Sequence, residues 1–315
     1  MNRLKNGGNH FPAGVKEVFK VCGVFGKTVT AEDLSFSVGP LINAAGRLGK
    51  SSLAAETFLE ADPLKAAEKA AQLKKLNEQR RTLSREALDL LSEEKNIFLS
   101  EKLVVAYDEK IHRGISGLVA GKLAEKYKKA ALVLVHDGEC LRGSIRSYDN
   151  EDVFSLLKDH EDFFIQYGGH RQAAGFSLAY EKREEFIQTI LQASSQLVCE
   201  VNSDDKNYLM EIQDFELQRQ IWEEPQIFEP YGKGNPYPAL LLKPTQEVIP
   251  EPLGKTGEHS KIRFSGINDP LIEAVWFFRK PEEVPTEKKL LFQPQKNYFG
   301  GSLKFQMKIL SSHEE

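Results

Sequence analysis

The spacing of hydrophobic and polar positions changes twice along the chain, from helical spacing to continuous apolar runs and then to alternation. Apolar side chains recur at helical spacing in residues 15–24, and over residues 51–95 they form a long stripe that includes Leu76, Leu83 and Ala87. Lys and Glu occupy the opposite face of that stripe. The pattern predicts a short helix followed by amphipathic connector helices lying on a globular body.

Capping residues, proline and glycine mark where those helices begin. Asp62 followed by Pro63 predicts a helix start, because Asp is a good cap and proline fits the first helical position. Residues 39–49 carry Gly39, Pro40 and further glycines, so we expect a shaped loop or a helix start there rather than a regular helix. We interpret residues 1–50 as the remnant of an interdomain region.

The middle of the chain, residues 96–200, predicts an α/β domain. Residues 103–107 and 131–135 are continuous apolar runs with one helical face between them, which favours a parallel strand pair joined by a right-handed crossover. Residues 139–147 are expected to continue the sheet, and residues 173–178 to add a strand. A short helix is expected at 151–158 and a closing helix at 181–199.

After a polar stretch at 202–207, which indicates a linker, the period becomes two. Residues 261–265, 272–276 and 303–309 alternate between apolar and polar positions. A Gly-Gly pair at 300–301 is typical of a hairpin turn. Short strands and turns of this kind predict a small β-barrel over residues 208–315.

Composition limits the classes of function. The 315 residues suffice for two domains, and the net charge of -4 means that nucleic-acid binding has to come from local patches. Three scattered cysteines exclude a disulfide framework or a paired-cysteine metal site, which fits the reducing cytoplasm. No apolar run reaches the roughly 18 residues of a membrane span, so we expect a cytoplasmic protein without membrane contact.

Ser144 and Arg146 are the first candidates for ligand binding. On a strand they share one face, since Ile145 between them points to the other. A hydroxyl beside a guanidinium suits a phosphate group. The alternative is a solvated strand end at which Arg146 pairs with Asp149 or Asp152.

Gly168, Gly169 and His170, followed by Ala173-Ala174-Gly175, form the second candidate. Small residues on both sides of the histidine indicate close packing of backbone against backbone or ligand. A histidine there can donate to a phosphoryl oxygen or exchange a proton near neutral pH. A tight turn with a structural histidine explains the pattern equally well.

Three further positions carry weaker signals. Arg47 follows small residues at a predicted helix start, where it suits an anion or is a surface arginine. His112 opens the crossover helix after a strand, as a site residue or a helix-entry residue. The cluster at 159–162 resembles a metal site, but consecutive side chains diverge and no second ligand group has matching spacing, so we expect no metal site in this sequence.

The barrel segment interleaves basic and aromatic residues, a composition that suits stacking of single-stranded bases. Lys261 and Arg263 are its first candidates for contact with a strand. Most aromatic residues of a small barrel belong to its core, so we expect one or two exposed platforms at most. The aromatic residues concerned are Phe264, Trp276, Phe277, Tyr298 and Phe299.

Six motifs in order carry a resemblance to a known family. They are GPLINAAGRLG, HRGISGLVAGKLAEKY, GSIRS, YGGHRQAAGF, FEPYGKGNPYPALLL and SKIRFSG. Together they resemble the C-terminal half of the RecJ-type single-stranded-DNA-specific exonucleases. Two positions depart from the family pattern: Leu41 stands where Arg is common, and Gly121-Lys122 where Ser-Arg is common.

The resemblance implies a fold and a division of labour. The fold is an α/β DHH-associated domain, with a mixed sheet and flanking helices, preceded by a long connector helix and followed by an OB-like β-barrel. Mn²⁺ or Mg²⁺ would be the family's cofactor, bound by an N-terminal DHH domain rather than by this chain. The implied partners are single-stranded DNA and, for a split enzyme, a separate DHH-domain protein.

The resemblance also assigns roles to residues of this sequence. Ser144 and Arg146 match the motif that grips the 5′ phosphate, and Arg47 is implied as a third phosphate contact. His170 matches the histidine facing the scissile phosphate and is the catalytic candidate. Substrate-binding candidates are Arg47, His112, Ser144, Arg146, Gly168, Gly169, Lys261 and Arg263.

Three functions remain open at this point. The first is the substrate-binding part of a RecJ-like 5′-to-3′ exonuclease acting in DNA repair and recombination, from a truncated or split enzyme and inactive alone. The second is a single-stranded nucleic-acid-binding module without catalysis. The third is a small-substrate phosphodiesterase of the wider DHH superfamily, against which the predicted barrel argues.

Overall fold

The computed structural model describes residues 11–26, 29–92, 96–198, 208–232, 234–254, 257–264, 272–286, 288–299 and 302–313. The chain divides into two compact units, Met1–Asn202 and Ser203–Glu315. The predicted linker at 202–207 lies outside the described residues. The finer boundaries at residues 50 and 95 stay predictions.

Helices form the first part of the first unit. Asp62 Oδ1 accepts hydrogen bonds from the backbone N–H groups of Leu64 and Lys65 at 2.8 and 3.1 Å, which confirms the predicted cap. The apolar stripe packs against the shorter helices through Leu73 and Leu76, which are buried. The helices are α1 Ala13–Val21, α2 Ala31–Asp33, α3 Gly39–Arg47, α4 Ser51–Leu59 and α5 Pro63–Leu90.

Helix α3 corrects one prediction. Residues 39–47 form a regular α-helix, entered directly from a π-helical turn at Leu34–Val38. The alternative of a helix start is confirmed, whereas a loop in place of a regular helix was wrong. Pro40 lies in the first turn of this α-helix, directly after the π-helical turn. Burial of Leu41 and Ala45 against the neighbouring helices stabilises the segment despite its glycines.

A six-stranded mixed sheet follows, in the order β1-β2-β3-β4-β6-β5. Strands β2 and β3 are parallel and joined by helix α6, as predicted, and the other neighbouring pairs are antiparallel. The strands are β1 Ile97–Leu99, β2 Leu103–Tyr107, β3 Ala130–Asp137, β4 Cys140–Arg146, β5 Phe164–His170 and β6 Ala173–Ala179; the helices are α6 Ser116–Tyr127, α7 Val153–Lys158 and α8 Arg183–Ala193.

The two faces of this sheet are covered differently. Leu132, Ile145 and Phe176 lie in a core with helices α7 and α8. Val133, on the other face, packs with α6 and the end of α5. Helix α8 ends at Ala193, earlier than the predicted 199, and a 3-10 turn follows at Ser194–Gln196.

Strands β1 and β5 were missed at the sequence level. Strand β5 is an edge strand exposed along most of its length, so its residues lack the alternation that identifies a half-buried strand. Gly168, Gly169 and His170 therefore lie on a strand and not in a tight turn.

The second unit is a seven-stranded mixed sheet in the order β7-β8-β12-β13-β11-β10-β9. Trp222, Leu242 and Phe292 are in its core. Strands β12 and β13 form the predicted hairpin. Among the described residues β7 and β9 are the sheet edges, and no strand pair closes a barrel. The elements are β7 Glu211–Gln213, α9 Gln220–Glu223, β8 Leu240–Lys243, β9 Glu251–Leu253, β10 His259–Phe264, β11 Ile272–Trp276, β12 Lys289–Phe299 and β13 Ser302–His313.

Candidate functional site

The register of three neighbouring strands aligns Arg146 with His170. Arg146 on β4 pairs with Ala173 on β6, and Ala173 pairs with His170 on β5. Directly opposed residues of antiparallel strands point to the same face, and two strand spacings amount to about 10 Å. Arg146 and His170 therefore stand on one face, at a separation that a ligand between them can bridge.

A second row on the same face carries almost no side chains. Ser144 pairs with Gly175, and Gly175 pairs with Gly168. A Cβ atom on Gly168 would meet nothing within 4 Å, and one on Gly175 would meet only a backbone oxygen at 3.5 Å. The row is a strip of bare backbone beside the Ser144 hydroxyl, over which a ligand can lie close to the sheet.

Gly169 has a different role from Gly168. A Cβ atom at Gly169 would lie 2.5 Å from both the Cα and the Cβ of Ala174 on the neighbouring strand. The close backbone packing predicted from these small residues is thus confirmed at Gly169 but not at Gly168. Gly169 thus permits the pairing of β5 with β6, while Gly168 leaves the other face of β5 open.

The first residues of helix α6 meet Ser144 and Arg146. The Ser116 and Ser144 hydroxyl oxygens are 2.8 Å apart and hydrogen-bonded. The Cβ atom that Gly117 lacks would stand 2.5 Å from Arg146 Nη2 and 3.7 Å from Ser144 Oγ. Glycine at 117 therefore makes room for the guanidinium beside the start of the helix.

Arg146 is partly buried and has no carboxylate partner among the described residues. Its Nη1 donates to the Ile145 carbonyl at 2.7 Å. Asp152 instead caps α7 by accepting from the N–H of Ser155 at 2.9 Å. Burial, and then the nearby charge of Arg47, lower the pKa of the Arg146 guanidinium. The charge remains, because an arginine does not deprotonate in proteins, and its environment favours an anion.

Arg47 lies in the last turn of α3 and not at the helix start that the sequence had predicted, and it brings a second guanidinium to this place. Its Nη1 donates to the Gly114 carbonyl at 3.2 Å, which holds the end of α3 against the turn before α6. A Cβ atom on Gly114 would lie 1.9 Å from the Arg47 carbonyl oxygen, so this contact requires glycine. Arg47 also contributes to lowering the pKa of Arg80 on α5, after burial and Arg81. Arginines from α3, α5 and β4 are thus electrostatically coupled, which was not apparent from the sequence.

His112 helps to build the start of α6. Its Nδ1 accepts from the N–H of Gly114 at 3.0 Å, so the proton of the neutral imidazole sits on Nε2. The side chain is therefore a helix-entry cap, as one of the two sequence interpretations held. Any contact with a ligand would use Nε2.

Glu151 orders the loop that follows Arg146, and sequence reasoning missed it. Its Oε2 accepts from Ser147 Oγ at 2.6 Å and from the N–H groups of Tyr148 and Asp149 at 2.9 and 2.8 Å. Burial alone would raise the pKa of the Glu151 carboxyl, but these hydrogen bonds hold it below its ordinary value. A glutamate next to Asp149 and Asp152 gives no sequence signal for such a role.

Lys261 and Arg263 belong to the second unit and share one carboxylate. Glu251 on β9 lies 2.6 Å from Arg263 Nη1 and 3.5 Å from Lys261 Nζ. Phe264 and Trp276 are buried core residues, whereas Phe277 is 44% exposed. The neighbouring Phe278 is 84% exposed. The basic pair is thus partly neutralised, and two phenylalanines offer exposed rings.

No metal site is found in the described part of the chain. Across it, no group of three or more His, Cys, Asp or Glu side chains is placed to hold a metal ion. In the discounted cluster at 159–162, the His160 ring is bonded through Nδ1 to the Leu156 carbonyl at 2.9 Å. None of the described helices is long and apolar enough to cross a membrane.

Family comparisons divide the chain as its fold does. Residues 100–196 match the model of the DHHA1 domain, and residues 210–311 match that of the RecJ OB domain. The first match covers about half of the first compact unit, and the second covers most of the second unit.

Curated relatives and solved structures give the same assignment. The single-stranded-DNA-specific exonuclease RecJ of Thermus thermophilus is 30% identical over 84% of this chain and 38% of its own length. That of Bacillus subtilis is 25% identical over 73% of this chain and 30% of its own length. The crystal structure of RecJ from Thermus thermophilus in complex with Mg²⁺ superimposes with a TM-score of 0.77 at 25% identity, covering 96% of this chain and 46% of that chain.

The chain spans between a third and two-fifths of the length of the first of these curated relatives. Two family domains in the expected order and a shared fold over almost the whole chain leave one assignment. The chain belongs to the family of RecJ single-stranded-DNA-specific exonucleases and corresponds to the part of those proteins that contains the DHHA1 and RecJ OB domains.

Proposed function

We propose that this chain is the substrate-binding part of a RecJ-like 5′-to-3′ single-stranded-DNA exonuclease, and that it grips the 5′ phosphate of the strand. One observation carries the proposal. Arg146 is partly buried, has no carboxylate partner among the described residues, and stands beside the Ser144 hydroxyl at the start of α6.

The proposed 5′-phosphate-binding site at Arg146 and Ser144, the phosphate seat, combines complementary hydrogen-bond donors. Arg146 supplies a planar fork of N–H groups and Ser144 a hydroxyl, and each charge-assisted hydrogen bond contributes about 1.5–3 kcal/mol. Arg47 adds positive charge from α3 as a third phosphate contact. A bound phosphate would relieve the mutual repulsion between Arg47 and Arg146, which supports an anion as the ligand.

The exposed backbone at Gly168 and Gly175, together with His170, would accommodate the sugar and base of the terminal nucleotide. A sugar or base lying over Gly168 and Gly175 meets backbone only, and His170 stands at the far side of the same face. We assign His170 to the scissile phosphate, where its imidazole can donate a hydrogen bond or hold a proton. His112 would contribute an Nε2–H from the near side.

Metal chemistry is not assigned to these residues. The relative from T. thermophilus was solved with Mg²⁺ and with Mn²⁺. The described residues of this chain do not fit such an ion, because they bring no three metal-binding side chains together. We propose that a DHH domain supplies the metal, as the family resemblance implies, and that the protein acts in DNA repair and recombination.

The second unit would make its own contacts with the single strand. Phe277 and Phe278 expose rings on which bases can stack, each stack contributing about 1–3 kcal/mol. Lys261 and Arg263 would contact phosphates only in competition with Glu251, so we expect them to contribute less than the seat at Arg146.

Equilibrium binding of labelled oligonucleotides tests this function. A 5′-phosphorylated single strand should bind more tightly than the same strand with a 5′ hydroxyl. Equal affinity would favour a binding module that ignores the strand end. Affinity that reaches its maximum with a dinucleotide would favour a phosphodiesterase for small substrates.

A further inference from the structure

A third row of the sheet, with polar side chains, borders the strip of bare backbone. Arg142 on β4 pairs with Ser177 on β6, and Ser177 pairs with Gln166 on β5. Successive residues on one face of a strand are about 6.5–7 Å apart, because each row is two residues from the next. The strip therefore lies between the row that carries Arg146 and this third row.

Packing on the covered side of the sheet fixes the direction of Gln166 and Ser177. Phe176 is buried in the core with helices α7 and α8, so the next residue, Ser177, points to the opposite face. The Tyr167 ring stacks on that of Phe154 in α7, with the ring centroids 6.2 Å apart. Gln166, which precedes Tyr167 on the strand, therefore also points to the face that carries the strip.

The side chains of Gln166 and Ser177 are available for a ligand. Gln166 is exposed and Ser177 is half-buried. Neither side chain has a hydrogen-bond or ion-pair partner among the described residues. Arg142, at the other end of the row, differs because its Nε is bonded to the Asp137 carboxylate. The free hydrogen-bonding groups of the third row thus lie on β5 and β6, beside the two glycines of the strip.

The proposed phosphate positions determine what lies over the strip. A 5′ phosphate at Arg146 and a scissile phosphate at His170 place the sugar of the terminal nucleotide over Ala173, which pairs with both residues. The strip is the next row of the same face. A base that lies flat on this strip points its edge at Gln166 and Ser177.

The chemistry of the two side chains matches the edge of a base. Every base edge carries hydrogen-bond acceptors or donors, and glutamine and serine are among the side chains that bind them. The Gln166 amide has a donor and an acceptor group, and the Ser177 hydroxyl is both. Because the amide can turn and the hydroxyl can rotate, this pair suits each of the four bases.

We propose that Gln166 and Ser177 hydrogen-bond the edge of the 5′-terminal base, whichever base it is. This inference rests on the proposed function, because it takes from it the positions of the two phosphates. The pair makes the site selective for a terminal nucleotide that has its base over one that has lost it.

Two 5′-phosphorylated single strands test the proposal, one beginning with thymidine and one with a tetrahydrofuran abasic residue, and otherwise identical. Wild-type protein should bind the thymidine strand roughly tenfold to thirtyfold more tightly, two or three hydrogen bonds at about threefold each. Gln166→Ala should lower affinity for the thymidine strand about threefold to tenfold and leave that for the abasic strand within about twofold. Its preference for a 5′ phosphate over a 5′ hydroxyl should stay as in wild type.

Ser177→Ala is a second variant at a different strand, so the test does not depend on one substitution in an edge strand. It should lower affinity for the thymidine strand about threefold and leave that for the abasic strand unchanged. Gln188→Ala is the matched control, since it removes the same amide from an exposed position of α8, which covers the other face of the sheet. It should change neither affinity by more than about twofold.

A strand with thymidine first and the abasic residue second identifies the base that is bound. Gln166→Ala should weaken this strand by the same factor as the all-thymidine strand. If it does not, the pair contacts the second nucleotide and the inference is wrong. If Gln166→Ala weakens the abasic-ended strand as much as the thymidine strand, Gln166 contacts sugar or phosphate and the inference is also wrong.

An unchanged preference for the thymidine strand in both Gln166→Ala and Ser177→Ala would overturn the base contact. The proposed function would stand in that case, provided that wild-type protein prefers a 5′ phosphate. A wild-type protein that does not distinguish a 5′ phosphate from a 5′ hydroxyl would instead overturn the proposed function, and the inference with it.

Discussion

Nη2 of Arg146 lies 2.5 Å from the position that a Cβ atom on Gly117 would take. No side chain other than glycine leaves the guanidinium where it is. The start of α6 therefore sets the direction of Arg146 as much as strand β4 does. This contact links the crossover helix of the fold to the residue on which the proposed function depends.

Gly117→Ala is expected to impair binding with little loss of stability. The clashing atom is the end of a flexible side chain, so Arg146 can swing away, and alanine favours a helix by up to about 1 kcal/mol over glycine. We expect the preference for a 5′ phosphate to fall about tenfold, one lost charge-assisted contact, in titrations of labelled oligonucleotides.

Gly46→Ala is the control for this change, because a Cβ atom there meets nothing within 4 Å in the helix α3. It should be stabilising and leave the 5′-phosphate preference as in wild type. An unchanged preference in Gly117→Ala would show that the position of Arg146 is not critical.

Glu151→Gln is expected to destabilise the protein in a pH-dependent way. The folded-state pKa of this carboxyl is lowered, so its stabilisation is present above the unfolded pKa of about 4.3 and is lost as pH falls through the folded value. At neutral pH, urea unfolding should show a loss of about 1–3 kcal/mol, since the glutamine cannot offer a charged acceptor.

At a pH below the ordinary pKa range of glutamate, the difference in free energy of unfolding between wild type and Glu151→Gln should become smaller. A gap of the same size at both pH values would mean that the carboxylate charge does not support the loop. A matched control is Glu125→Gln, an exposed position for which we expect a change within about 0.5 kcal/mol at either pH.

Much of the first unit could be predicted from local patterns, for identifiable reasons. Strands β2 and β3 are buried along nearly their whole length, so they appear in the sequence as continuous apolar runs. Strand β4 alternates between buried and less buried positions around Ile145, and this alternation can be recognised in the sequence. The cap at Asp62 is a contact within one turn. Such signals depend only on residues that are near in sequence.

The parts that escaped prediction depend on residues distant in sequence. Strand β5 exists because β6 pairs with it, and its exposed residues have no period of their own. The coupling of Arg47, Arg80 and Arg146 requires three elements to meet. Helix α3 forms because burial of its apolar face offsets the conformational cost of its glycines. A prediction from Gly39 and Gly46 alone does not include that burial.

Gly143→Ala is expected to destabilise the sheet without changing the face that carries Ser144 and Arg146. A Cβ atom there would lie 2.0 Å from the Phe176 ring, which is confined by Phe164 and Phe186 with ring centroids 4.6 and 5.2 Å away. Overpacking of this kind costs about 1–3 kcal/mol. Thermal unfolding should show a clear fall in Tm; a wild-type Tm would mean that the aromatic cluster can yield.

Gly175→Ala is the counterpart on the neighbouring strand. A Cβ atom there makes only an ordinary contact at 3.5 Å, so stability should change by less than about 1 kcal/mol. The methyl group would stand on the bare strip beside Ser144 and should weaken binding of a 5′-phosphorylated strand severalfold. Unimpaired binding would show that the strand does not lie over this strip.

The most direct measurement is the ratio of affinities for a 5′-phosphorylated and a 5′-hydroxyl single strand, in wild type, Arg146→Ala and Arg142→Ala. Arg142 lies on the same strand and is engaged by Asp137, so it is the matched control. We predict a wild-type preference of roughly tenfold to a hundredfold that Arg146→Ala abolishes and Arg142→Ala retains. A preference that persists in Arg146→Ala would contradict the assignment of the phosphate seat.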